Sequence, residues 1–150
     1  ALKKIEEQEY HITFNDKYKE YQAPNRKNNL RFFFKKNGFR VSPRVTQNTN
    51  LDKAIFSDEW QAEFNLLGYG RNGQVEHYFT GENFIADGNR AYIADDCMRI
   101  DYINNKKGMR QDFTINRKPI SGKGFLTVSL QIDTEERMLI NLILIFCYIL

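Results

Sequence analysis

The stretch from Cys97 to Ile132 alternates between apolar and polar side chains three times in succession, and that alternation dictates a β fold. Met98, Ile100 and Tyr102 share one face against Arg99 and Asp101. Met109, Gln111, Phe113 and Ile115 oppose Arg110, Asp112 and Thr114, and Leu126, Val128, Leu130 and Ile132 oppose Thr127, Ser129 and Gln131. Strand side chains change face at every residue, so a period of two marks strands buried on one side. The link Asn104–Gly108 is a short polar turn of residues that tolerate positive φ. The link from Asn116 to Gly124 carries one Pro and two Gly and is too short for a crossover helix. The stretch therefore reads as an antiparallel meander.

The preceding chain keeps the same rhythm. Tyr10, Ile12 and Phe14 alternate with His11 and Thr13, and Asn15-Asp16-Lys17 reads as a turn into a polar strand at Tyr18–Gln22. Ala23–Asn29 reads as a polar loop. Leu30–Lys35 is a strand with three consecutive Phe residues, covered on both faces or meeting an N-terminal helix on its second. Asn37-Gly38 is a hairpin signal leading to Phe39, Val41 and Val45, and Pro43 there implies an edge or a bulge. Thr46–Asp58 reads as a surface loop, Trp60–Leu66 and Val75–Thr80 as strands, Gly68–Gly73 as a glycine-rich turn, and Gly81–Arg90 as a loop containing Asp87-Gly88. Ala91–Ala94 is a short strand turned by Asp95-Asp96. About ten short strands at this spacing predict an all-β, antiparallel sandwich. Leu2 and Ile5, three residues apart, add a short N-terminal helix.

Composition agrees. A chain of 150 residues is enough for one domain with a real core, and 12 Phe and 8 Tyr suit strands. The formal charge of +3 is too small, and its basic residues too dispersed among acids, to argue for nucleic acid, and no such partner is expected. Residues 1–132 are expected to form the single domain. Residues 133–150 form a charged then apolar tail outside it, since Met138–Leu150 is nearly all apolar without alternation. As a helix that segment is too short for a standard membrane span, which leaves a buried element or contact with a membrane surface. The opening residues lack the apolar core of a signal peptide, and Ala1 stands where an initiating Met would be, consistent either with removal of a leader or with a trimmed sequence.

No residue is assigned a catalytic, cofactor-binding or metal-binding role, and no cofactor is expected. His11 and His77 have no second ligand at metal spacing. Cys97 and Cys147 are too few for a disulfide framework and carry no metal motif. Gly68-Tyr69-Gly70 lacks the strand–helix context of a dinucleotide fingerprint. Asp87, Asp95 and Asp96 offer oxygen ligands to Ca²⁺ but not at EF-hand spacing, and read as charged turns. Tyr69 or Trp60 would stack on a sugar if exposed, but aromatics of a β chain mostly belong to the core.

Two segments carry a resemblance. Ala23-Pro24-Asn25-Arg26-Lys27-Asn28-Asn29-Leu30-Arg31 and Tyr102-Ile103-Asn104-Asn105-Lys106-Lys107-Gly108-Met109-Arg110-Gln111-Asp112-Phe113 together resemble the N-terminal β-domain of large secreted proteins from Bacteroidota. Such proteins often continue into β-propeller-type repeats and end in a type IX secretion sorting domain. The likeness spans roughly Ile5–Ile132. It implies an extracellular or outer-surface, non-enzymatic domain whose partners are the other domains of a larger protein. The tail departs from that pattern and reads as a shifted frame of AT-rich coding DNA, which would make the chain a truncated opening module. The expected function is a structural or interaction module, with a carbohydrate-binding module taking polysaccharide as the alternative. A domain held at a membrane by residues 138–150 is the less favoured one.

Overall fold

The computed structural model describes residues 2–44, 60–134 and 146–149. In chain order the elements are α1 (Leu2–Gln8), β1 (Thr13–Asn15), β2 (Glu20–Asn25), β3 (Leu30–Lys35), β4 (Gly38–Pro43), β5 (Ala62–Arg71), β6 (Gln74–Tyr78), β7 (Glu82–Asp87), β8 (Arg90–Ala94), β9 (Met98–Asn105), β10 (Gly108–Ile115), β11 (Leu126–Thr134) and β12 (Phe146–Ile149). The first sheet runs β1-β2-β3-β4-β5-β11, with β6 also on β5, and the second runs β12-β10-β9-β8-β7. Pairing is antiparallel except for β12, which lies parallel to β10. The protein is an all-β sandwich.

The inward faces follow from the alternation. On β9, Met98, Ile100, Tyr102 and Asn104 are fully buried, and Met109, Gln111, Phe113 and Ile115 face inward beside them on β10. Ala23, Phe32, Phe34, Phe39 and Val41 meet them from the first sheet. The Tyr102 ring packs edge-on against Phe34 at 5.0 Å, joining the two layers. Phe84 closes the side, at 4.7 Å from Tyr21 and 5.1 Å from Phe34. Each fully buried apolar side chain contributes roughly 1.5–3 kcal/mol, so the core these rings help to fill is a large source of stability.

Polar side chains also cross between the layers. Asn25 on β2 and Asn104 on β9 are wholly buried. The Asn25 amide donates to Asn104 Oδ1 at 2.7 Å and to the Asn105 carbonyl at 2.9 Å, and its Oδ1 accepts from both the backbone and side-chain N–H of Asn28. The Asn104 amide donates to the carbonyls of Tyr10 and Pro24. The segments Ala23–Arg31 and Tyr102–Phe113 thus meet here, across the core.

The structure corrects several expectations. The third alternating segment does not continue the meander: β11 crosses to the first sheet and pairs with β5 along its length. A link of about ten residues reaches easily across the roughly 10 Å between packed sheets. Arg71 pins that link, donating from Nε to Ser121 and from Nη1 to Gly124, both at 2.7 Å. Gly68-Tyr69-Gly70 is strand rather than turn, and the turn is Asn72-Gly73 alone, both at positive φ. The glycines are needed because β6 runs so close that a Cβ on Gly68 would collide with the His77 carbonyl. Ala23, Pro24 and Asn25 belong to β2, with Pro24 beyond the part of β2 that β1 covers. Glu82–Asp87, expected as loop, is β7, which is irregular where Asn83 takes a positive φ. The second face of β3 meets Arg40, whose guanidinium lies over Phe33 at 4.4 Å. The strand of Leu126–Ile132 extends to Thr134, and Phe146–Ile149 of the tail pairs with β10. Val45, the Thr46–Asp58 loop and the rest of the tail lie outside the described residues.

A Cβ at Gly70 would collide with the Gln74 carbonyl oxygen and stand 2.8 Å from the Glu76 nitrogen. Gly70→Ala should therefore cost at least about 1–3 kcal/mol, as overpacking does, read as a lower urea midpoint at unchanged slope. An unchanged midpoint would contradict the close approach of β6.

Candidate functional site

At the end of β9 remote from Asn104, three chemically competent side chains converge from both sheets. His77 comes from β6, beside Tyr69 of β5, with ring centroids 5.2 Å apart. Asp95 lies in the tight turn from β8 to β9. Its Oδ1 accepts the N–H groups of Cys97 and Met98 at 2.8 and 2.9 Å, and its own N–H donates to the Met98 carbonyl. Its Oδ2 accepts the Thr80 N–H at 3.0 Å and stands 2.9 Å from His77 Nε2. Cys97, buried at the entry to β9, completes the group: the nitrogen, oxygen and sulfur lie within 4.8 Å of one another.

The electrostatics follow from these contacts. Burial raises the Asp95 carboxyl, but the Thr80 N–H, His77 and the N–H groups of Cys97 and Met98 together outweigh it and hold the carboxyl below its ordinary value. Tyr69 moves the other way. Burial first, then the neighbouring Cys97 and Asp95, push its hydroxyl up to about 12. That hydroxyl donates to the Arg117 carbonyl at 2.6 Å. The cluster is thus a charged carboxylate held by four donors, with an imidazole on its outer side and a thiol on its inner side.

A second feature lies on the outer face of the second sheet. An open depression of about 350 Å³ is lined by Tyr92, Arg99, Asp101, Asp112 and Thr114, with Asp87 and Arg90 among its other walls. Asp101 and Asp112 stand directly opposite each other on β9 and β10. Like charges so placed repel, and each is matched by an arginine two residues earlier. Arg99 donates from Nε and Nη2 to Asp101 at 2.6–2.9 Å, and Arg110 Nε donates to Asp112 at 2.8 Å. The Arg99 guanidinium also lies 3.9 Å over the Tyr92 ring.

The residues weighed from sequence are distributed differently than their order implies. Asp87 and Asp95 sit at opposite ends of β8 and do not share a site, and Asp96 is exposed. His11 is half-buried, with its ring facing Gly88, and His77 is bonded to Asp95. Tyr69 is buried, and Trp60 packs partly against the core. Sequence reasoning missed the cluster because His77 reaches Asp95 only through the packing of one sheet on the other. The legible signal was an Asp two residues before a strand-initiating Cys. Compared with protein-family models, curated proteins and solved structures, the chain matches none.

The lowered Asp95 pKa has a signed consequence. A depressed carboxyl contributes stability above its unfolded value, about 3.9, and loses it as pH falls through the folded value. Asp95→Asn should be less stable than the parent at pH 7, and the gap should close as pH falls below about 4. Denaturant titrations across that range measure it; a gap that does not change with pH would contradict the charged-carboxylate account.

Proposed function

We propose that this chain is a non-catalytic structural and interaction module of a secreted or cell-surface protein. The observation that supports this reading best is the state of the carboxylates in the one concavity described above. Glycoside hydrolysis needs two carboxyl groups facing a shared gap that holds the sugar and a water or nucleophile. Asp101 and Asp112 are instead turned to guanidiniums on their own strands, which balances two like charges on a sheet face. Among the described residues, no buried side-chain nitrogen or oxygen lacks a hydrogen-bond partner. The polar groups of the described residues hold the fold and present its faces. The resemblance of Ala23–Arg31 and Tyr102–Phe113 to the opening domain of large secreted proteins supports the location and suggests that the partners are other domains of such a protein.

The depression favours a second reading, weak binding of a polysaccharide, because it surrounds an aromatic ring with hydrogen-bonding side chains. Its volume is at the low end for ligand sites, and a sugar stacking on Tyr92 must first displace Arg99.

Surface labelling of intact cells producing the native protein, paired with turnover assays on chromogenic glycosides, tests the first reading. The expected outcome is labelling at the surface or recovery from the medium, with turnover at the buffer background for the parent and for Asp101→Asn. Turnover above background that disappears in Asp101→Asn, or protein found only in the cytosol, would contradict it. A glycan array in which binding is abolished by Tyr92→Ala would move the conclusion to the second reading.

A further inference from the structure

Cys97 is a free thiol, buried, and it faces a carboxylate and an imidazole that reaches it from the other sheet. We propose that His77, Asp95 and Cys97 form a binding site for a zinc-type divalent cation, with one nitrogen, one oxygen and one sulfur as ligands. The donor set chooses the metal class. Calcium and magnesium take oxygen ligands, whereas zinc accepts thiolate, imidazole and carboxylate together.

The geometry fits this use. Bonds of 2.0–2.3 Å in a tetrahedral zinc site put ligand atoms about 3.3–3.8 Å apart. The three atoms here lie within 4.8 Å of one another, with His77 Nε2 and Asp95 Oδ2 at 2.9 Å, so small side-chain rotations bring them to that spacing. The supporting contacts are in place. The N–H groups of Thr80, Cys97 and Met98 fix the Asp95 carboxylate, and the Tyr69 ring flanks the imidazole. Outer contacts of this kind orient metal ligands. His77 is half-buried while Asp95 and Cys97 lie deeper, so a cation enters from the imidazole side. Three protein ligands leave a fourth position for water.

Binding exchanges protons for metal. The Cys97 thiol gives its proton to solvent, and the cation replaces the hydrogen between His77 Nε2 and Asp95 Oδ2. A neutral imidazole then carries its hydrogen on Nδ1, so one proton leaves per cation bound. Because His77 belongs to the first sheet and the other two ligands to the second, a bound cation ties the layers together.

Titration of the reduced 150-residue chain with Co²⁺, followed by Zn²⁺, tests the site. The expected result is a thiolate-to-cobalt charge-transfer band saturating at one equivalent, bleached by Zn²⁺, with a rise in melting temperature on Zn²⁺ addition. The band should persist in Cys147→Ser, vanish in Cys97→Ser, and need at least tenfold more Co²⁺ in His77→Gln, which retains a hydrogen-bond donor for Asp95 and so keeps the fold. No band in the parent chain overturns the proposal. So does a band lost in Cys147→Ser, or one that His77→Gln leaves at parental affinity.

Discussion

The hydrogen bond from Asn25 to Asn104 sets the alignment of one sheet on the other. Apolar contacts between sheets are non-directional and tolerate sliding, because one buried methyl group substitutes readily for another. A buried amide does not tolerate it. Each of these asparagines presents donors and acceptors whose partners sit at one relative position of the layers, and a slip leaves several of them buried and unpaired. An intact hydrogen bond of this kind adds only about 1 kcal/mol, whereas an orphaned buried group costs about 1–3 kcal/mol. The aromatic layer therefore makes the sandwich stable, and the asparagine pair makes it unique.

Strand β9 connects two such polar crossings. At its end Asn104 reaches β2, and just before its start Asp95 reaches His77 on β6. Between them Met98, Ile100 and Tyr102 are wholly buried. The strand spans about 25 Å at the usual rise, so the two crossings stand at opposite ends of the core. They differ in chemistry. The asparagine end is neutral and closed, with every amide partnered within the chain. The aspartate end carries charge, borders solvent through His77, and includes a thiol that has no structural bridge.

Much of this was legible from one principle. The period of two placed Met98, Ile100, Tyr102, Phe113 and Ile115 inside and Arg99 and Asp101 outside, as observed. Gln111 falls in the inward phase of the same pattern and bonds Tyr102 on the neighbouring strand, whereas Asn104, read as the first residue of a turn, belongs to β9 and makes the cross-layer contact. Strand order was not legible, because β11 leaves its neighbours in sequence for an edge of β5 that only the assembled sheet offers. Strand β7 was missed because Glu82 and Asn83 disturb its alternation and its one inward aromatic, Phe84, is isolated in sequence. The glycines of β5 were misread for a related reason. Close passage of another strand and a tight turn leave the same residue type behind. The His77–Asp95–Cys97 group belongs to the same class of tertiary information, assembled from elements that share no local pattern.

A double-mutant cycle on Asn25 and Asn104 tests the central claim most directly. Asn25→Ala, Asn104→Ala and the double variant are unfolded in denaturant and compared with the parent chain. If the buried pair aligns the sheets, each single variant loses about 2–4 kcal/mol, because its partners are left unsatisfied. The double variant should then lose less than the sum, by about 1–3 kcal/mol of coupling. Losses that add to within about 0.5 kcal/mol would mean that the asparagines act independently, and that the aromatic layer alone sets how the two sheets meet.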